Sequence, residues 1–185
     1  MTMTLKLVVM GVSGCGKSTV GAALAQRLDL QMIDGDDLHL PASVARMRAG
    51  QPLTDEDRWP WLERIGQRLA AQTHGAGVVV ACSALRRSYR DCIRRHAADV
   101  RFVFLDGPFE LIARRVAQRA GHYMPVALLQ SQFNTLERPD AHERDVLRLG
   151  IDRPVNDLVD EAVQALQALQ AEPGVVPCTA AEPPS

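Results

Sequence analysis

The chain has 185 residues, 46 % of them apolar, which is enough for one well-buried domain and short for two. Acidic and basic residues nearly cancel, to a formal net charge of -1, and only 4 % are aromatic, which argues against bulk attraction to nucleic acid. No apolar run approaches a membrane span, the start Met1-Thr2-Met3-Thr4 has no signal-peptide pattern, and Cys15, Cys82, Cys92 and Cys178 lack C-x-x-C pairing or histidine partners at metal-ligand spacing, so reduced thiols in a cytoplasmic protein are expected.

Leu5 to Met10 is an apolar run that reads as a buried strand. It feeds Gly11-Val12-Ser13-Gly14-Cys15-Gly16-Lys17-Ser18-Thr19, which fits G-x-x-x-x-G-K-S/T, and Val20, Leu24 and Leu28 then recur at helical spacing. A strand, a glycine-rich turn and a helix start together form an anion site. Glycines let successive backbone amides point at phosphate oxygens, and the helix dipole adds to the attraction. Lys17 is placed for the β- and γ-phosphates and the Ser18 hydroxyl for Mg²⁺.

Leu30 to Ile33 is a brief second strand ending in Asp34-Gly35-Asp36-Asp37-Leu38-His39. Ligands in an open parallel sheet gather beyond the carboxyl ends of strands. Asp34 is thus a candidate to hold Mg²⁺ through water and Asp36 to accept a proton from a substrate hydroxyl; a solvated acidic turn capping the next helix is the competing reading. Pro41 to Ala49 is a short helix with Val44 and Met47 as its apolar contacts, closed by Gly50. Thr54 caps a helix that opens on Asp55-Glu56-Asp57 and turns Trp61, Leu62, Ile65 and Leu69 inward. Arg58 sits in its first turn, where the dipole disfavours a cation; either ligand binding or pairing with the neighbouring acids explains it.

Gly77 to Cys82 is a third strand, ended by Ser83 rather than by a metal-binding Asp. Ala84 onwards starts a basic helix with Arg86, Arg87 and Arg90, which suits an anionic substrate or a solvated face. Arg101 to Asp106 is the fourth strand. In the helix that follows, Phe109, Ile112 and Val116 form the buried stripe, and Arg115 and Arg119 lie one turn apart at its edge. Gly121-His122 hinges into a helix containing Leu128, Leu129, Gln132, Phe133 and Leu136, so residues 114–137 are expected to form a lid that brings arginines onto the nucleotide phosphates. His122 either touches substrate or caps the lid turn. A last strand over Val146 to Asp152 and a helix burying Val155, Leu158, Val159, Ala162, Val163 and Leu166 complete a domain over 1–170, and the proline-rich 171–185 is expected to be a disordered tail. The alternation predicts a three-layer α/β/α fold with a mostly parallel five-stranded sheet.

The phosphate turn, Asp34-Gly35-Asp36-Asp37-Leu38-His39, Asp57-Arg58 before Pro60-Trp61-Leu62, Cys82-Ser83-Ala84-Leu85, Arg119-x-Gly121-His122, and Ser131-Gln132-Phe133 with Leu136-Glu137 resemble the gluconokinase family in order and spacing, over roughly residues 5–165. Leu40 stands where the family commonly has proline, and Arg86 and Arg87 where lysines are common. The resemblance implies a nucleoside-monophosphate-kinase-like P-loop fold, ATP and Mg²⁺ as co-substrates, transfer to the 6-hydroxyl of D-gluconate, and a homodimer. On that basis residues 11–19 with Arg115 and Arg119 are expected to bind ATP, and Lys17 with a lid arginine to stabilise the transferring group. Asp36 is expected to orient the attacking hydroxyl, and Asp36, His39, His122 and Gln132 to pair the polyol, with Arg58 or Arg90 gripping the carboxylate. A shikimate-like or nucleoside-monophosphate kinase, and a non-catalytic nucleotide switch, are the competing functions.

Overall fold

The computed structural model describes residues 4–49, 51–73, 75, 77–118 and 126–171. Five strands, β1 (Leu5–Met10), β2 (Gln31–Asp34), β3 (Gly77–Ala81), β4 (Arg101–Asp106) and β5 (Val146–Gly150), form one sheet in the order β2-β3-β1-β4-β5, with every pairing parallel. The predicted architecture is the observed one. Parallel strands need crossovers, and the helices α1 (Lys17–Leu28), α2 (Pro41–Arg48), α3 (Asp55–Ala70), α4 (Arg87–His96), α5 (Phe109–Ala117), α6 (Val126–Thr135) and α7 (Val155–Ala171) lie in or after them.

Side chains alternate across the strands and so build two cores. Leu7, Val9, Val79, Val103 and Leu105 face α1, α5, α6 and α7; Val8, Met10, Val78, Val80, Phe102 and Phe104 face α3 and α4. Because both faces are covered, β1, β3 and β4 read as continuous apolar runs. Three local expectations need correction. Met47 is 40 % exposed, and α2 buries only Ser43, because so short a helix covers the surface with one edge. The basic helix starts at Arg87 and not at Ala84, since Ala84 takes a left-handed backbone (φ 40°) and Arg86 is extended. The last strand ends at Gly150, where its pairing with Asp106 stops. Gly50, the expected cap, and residues 172–185 lie outside the described residues.

Candidate active site

β1 sits in the middle of the sheet with β3 on one side and β4 on the other, so the turns leaving all three converge at its carboxyl edge. Residues 11–16 make the first turn. Gly16 caps α1 in a left-handed conformation (φ 104°) that a side chain would strain. α1 has no side-chain cap and no acidic residue in its first turn. A helix start left without an internal anion suits an external one. Lys17 Nζ donates to the Val12 carbonyl at 3.1 Å, lying back along the turn, and Ser18 and Thr19 are exposed at its mouth.

Next to it, the 3₁₀ turn Gly35–Leu38 carries the predicted acids. Gly35 presses on β3: a Cβ there would stand 2.4 Å from the Ala81 carbonyl oxygen, so only glycine lets the acids come this close. The Asp34 carboxylate accepts from the Asp36 amide at 3.0 Å and caps its own 3₁₀ turn, whereas α2, the next helix, has no side-chain cap. The Asp36 side chain is 82 % exposed. Desolvation by the surrounding protein, and secondly the Asp34 charge, raise its pKa, while His39 and Lys17 oppose the shift. Beneath them the Cys82 thiol is fully buried and pushed up to about 12, first by that burial; the charges of Lys17, Asp36 and Asp34 all reach it. Lys17 and the two acids thus all lie near Cys82, at the same end of the sheet.

His39 stacks on Trp61, with ring centroids 4.2 Å apart, and its Nε2 lies 3.9 Å from Asp36 Oδ1. Burial lowers its pKa, with Asp36 opposing and Arg58 adding to the effect, so the ring is neutral at pH 7. Its buried Nδ1 has no hydrogen-bond partner among the described residues. The Trp61 indole is itself held, donating to the Gly35 carbonyl at 2.7 Å. α3 thus buttresses the acidic turn.

Arg58 projects from the first turn of α3. Its Nη1 is 3.6 Å from Asp55 Oδ1 and 3.4 Å from the Tyr89 hydroxyl. Arg86 donates to the other Asp55 oxygen at 2.7 Å, and both guanidinium groups lie within 6 Å of the Tyr89 ring. Tyr89 donates to Asp55 at 2.6 Å, and burial raises its pKa, so it stays neutral. Two cations share one carboxylate, which leaves a positive surplus beside His39.

Two expected substrate ligands are placed otherwise. Arg90 is 1 % exposed and forks onto Glu143 at 2.7 and 2.5 Å, while its Nη1 donates to the Ala84 and Leu85 carbonyls. It points under the sheet edge because it follows Tyr89 on the buried stripe of α4, and it holds the turn instead of a carboxylate ligand. Gln132 reaches the phosphate turn: its Oε1 accepts from the Ser13 amide at 2.6 Å and its Nε2 donates to Ser13 Oγ at 3.2 Å, so both ends of the amide have a partner on that turn. Arg115 stands beside the turn, close enough for its charge to reach the Cys15 thiol, and donates to the Ile151 carbonyl at 2.6 Å. Arg119 and His122 lie outside the described residues. Sequence reasoning passed over Tyr89 and Asp55 as site residues, and treated Arg86 only as part of a basic helix. Their spacing carries no signal, since the cluster exists only where α3 meets α4.

Beyond Arg115, a cleft of about 420 Å³ opens past the ends of β4 and β5, lined by Asp106, Pro108, Arg138, Arg148, Ile151 and Asp152. Among the described residues no three His, Cys, Asp or Glu side chains form a metal cluster. An Mg²⁺ ion commonly takes one or two protein oxygens plus phosphate oxygens and water, and Ser18 with Asp34 fits that pattern. The crowding of two carboxylates that raises the Asp36 pKa also favours a cation there.

The AAA domain family profile matches residues 7–139. The thermosensitive gluconokinase of Escherichia coli (strain K12) is 44 % identical over 88 % of both chains. The gluconokinase of Gluconobacter oxydans (strain 621H) is 45 % identical over 88 % of this chain and 91 % of its own. Among solved structures, a gluconokinase from Sinorhizobium meliloti 1021 superposes with a TM-score of 0.82 and 46 % identity, covering 91 % of this chain and 95 % of that one.

Proposed function

The chain belongs to the gluconokinase family, and on that premise we propose that it transfers the γ-phosphoryl group of ATP to the 6-hydroxyl of D-gluconate, giving 6-phospho-D-gluconate and ADP. The observation that supports the reading is the placement of the phosphate turn with Lys17 and of the acidic turn with Asp34 and Asp36 at one end of the sheet, near Cys82, with Arg58 and Arg86 sharing Asp55 on the same side as His39. A phosphate donor, a proton acceptor and an anion grip meet there.

In this reading the amides of residues 11–19 and the Lys17 ammonium hold the triphosphate, Lys17 leaving the Val12 carbonyl for the β- and γ-phosphates. When bound, Mg²⁺ supplies charge neutralisation between those phosphates; Ser18 would hold it directly and Asp34 through water. The cleft past Arg115 accommodates the nucleoside. Asp36 orients the attacking hydroxyl and takes its proton, for which a raised pKa makes it a better base than an ordinary carboxylate. His39, neutral and stacked on Trp61, offers Nε2, on the Asp36 side of the ring, to another hydroxyl. Arg58 takes the substrate carboxylate, with Arg86 in place of Arg90 as its partner. Arg115 and, from its sequence position, Arg119 stabilise the charge on the transferring group.

The protein is further proposed to act in the cytoplasm as a homodimer. No helix among the described residues is long and apolar enough to cross a membrane. ADP release measured with Mg²⁺-ATP against D-gluconate, shikimate and nucleoside monophosphates tests the assignment: turnover is expected with gluconate, and its absence there would overturn the reading. Light scattering at assay concentration tests the dimer.

A further inference from the structure

The segment that begins with Gln132 touches more of the site than its position, more than a hundred residues from the phosphate turn, would suggest. At its start, Gln132 grips Ser13 by both the amide and the hydroxyl, a two-point bond that fixes the outer corner of the phosphate turn. At its end, the Glu137 amide donates to the Leu85 carbonyl at 2.9 Å, and the Glu137 carboxylate accepts from the Arg87 amide at 2.7 Å. That carboxylate caps α4, which has no side-chain cap of its own. Arg86, between the two bonded residues, belongs to the Asp55–Arg58–Tyr89 cluster.

The piece joining these ends is stiff. The Leu136 amide donates to the Gln132 and Phe133 carbonyls, so helical bonding runs on past Thr135. Phe133 packs edge-on against Phe109 at 5.3 Å, and Leu136 packs against both cores of the sheet. Elsewhere the two turns are joined at their roots, where the Gly11 amide donates to the Ser83 carbonyl. Residues 132–137 tie them a second time at their outer ends.

We propose that Gln132 and Glu137 are positioning residues that form a strap between the phosphate turn and the acceptor-side turn, fixing the separation that the phosphoryl group must cross. In-line transfer depends steeply on that separation, whereas each half of the site binds its own ligand without reference to the other. The acceptor half of the inference rests on the gluconate reading; the strap itself does not.

Gln132→Met and Glu137→Met remove the polar bonds at nearly constant length. Each is expected to lower kcat by about tenfold to a hundredfold, with KM for ATP and for gluconate held within about threefold. Cutting either end releases the strap, so the double variant loses no more than the worse single one. Glu137→Gln, which keeps an acceptor for the Arg87 amide, recovers most of the loss. Unchanged kcat in Gln132→Met, or a double loss equal to the product of the singles, would overturn the proposal. Should wild type fail to phosphorylate gluconate, the functional reading falls by itself, and amide hydrogen exchange decides the strap without substrate. Ser13→Ala, which removes the hydroxyl end of the Gln132 bond, serves there if the methionine variants do not fold. Loosening at one end is expected to speed exchange in the peptide at the other, residues 11–17 or 83–88; unaltered exchange at the far end sinks the inference.

Discussion

The two halves of the site are built in opposite ways. The phosphate side is a single contiguous stretch, residues 11–19, whose working parts are backbone amides, one lysine and one hydroxyl. The proposed acceptor side is assembled from side chains on the 3₁₀ turn, α3 and α4, with Asp36, His39, Arg58, Arg86 and Tyr89 brought together from separate parts of the sequence. Phosphate is the same group in every nucleotide, so one local backbone shape serves it. A polyol acid is recognised by the placement of several hydroxyls and a carboxylate, and that placement needs tertiary structure.

This contrast can be broken at its strongest point first. Lys17→Ala removes the only side-chain cation inside the phosphate turn and is expected to cut turnover by about a thousandfold or more. Wild-type-like ADP release from that variant would dissolve the distinction. Asp36→Asn is expected to lower kcat by about a hundredfold to ten-thousandfold while a fluorescent ATP analogue binds as before. Were ATP affinity lost instead, Asp36 would belong to the phosphate side.

The next effect separates a residue that binds from one that only supports. Arg90→Met leaves Glu143 buried without its forked partner, although Arg94 still reaches it at 2.7 Å, and should cost about 3 kcal/mol of unfolding free energy. KM for gluconate should stay unchanged in whatever folds. Arg58→Met should do the reverse, raising KM for gluconate about tenfold to a hundredfold with little effect on denaturant midpoint. A matching rise in KM from Arg90→Met would restore it as a carboxylate ligand.

The smallest effect concerns pH. The Asp36 pKa in the folded protein is raised above its unfolded value, so its ionised form destabilises the fold. That penalty is fully present above the folded pKa and vanishes as pH falls below the ordinary value of 3.8. Asp36→Asn is therefore expected to melt slightly higher than wild type at pH 7, with the difference closing in acid. A calorimetric scan at both pH values checks the sign. An active-site acid that weakens the fold while serving the reaction would mark the acceptor side as built for function over stability.

Part of the candidate site is legible in the sequence. The glycine turn, Lys17 and Ser18 follow from local spacing, and the acids at 34–37 follow from their place after a strand. Arg90 and Gln132, both expected at the substrate, are engaged by protein partners, Arg90 by Glu143 and Gln132 by Ser13. Polarity and proximity do not tell which way a helix faces. Arg90 lies next to Tyr89 and Ile93 on the buried side of α4, where Glu143, arriving from a distant loop, pairs it. Gln132 faces the phosphate turn because α6 packs Leu129 into the core beside it.

By itself the sequence determined the strand–turn–helix that takes a triphosphate, the alternation of elements and the parallel sheet, since these depend on short-range periodicity and on backbone shapes only glycine adopts. The tertiary structure alone decided that Arg58 and Arg86 share Asp55 while Arg90 is buried on Glu143, that His39 lies neutral against Trp61, and that one segment near the end of α6 braces both turns. Those outcomes turn on burial and on partners far apart in the chain, and neither is written in the spacing of neighbours.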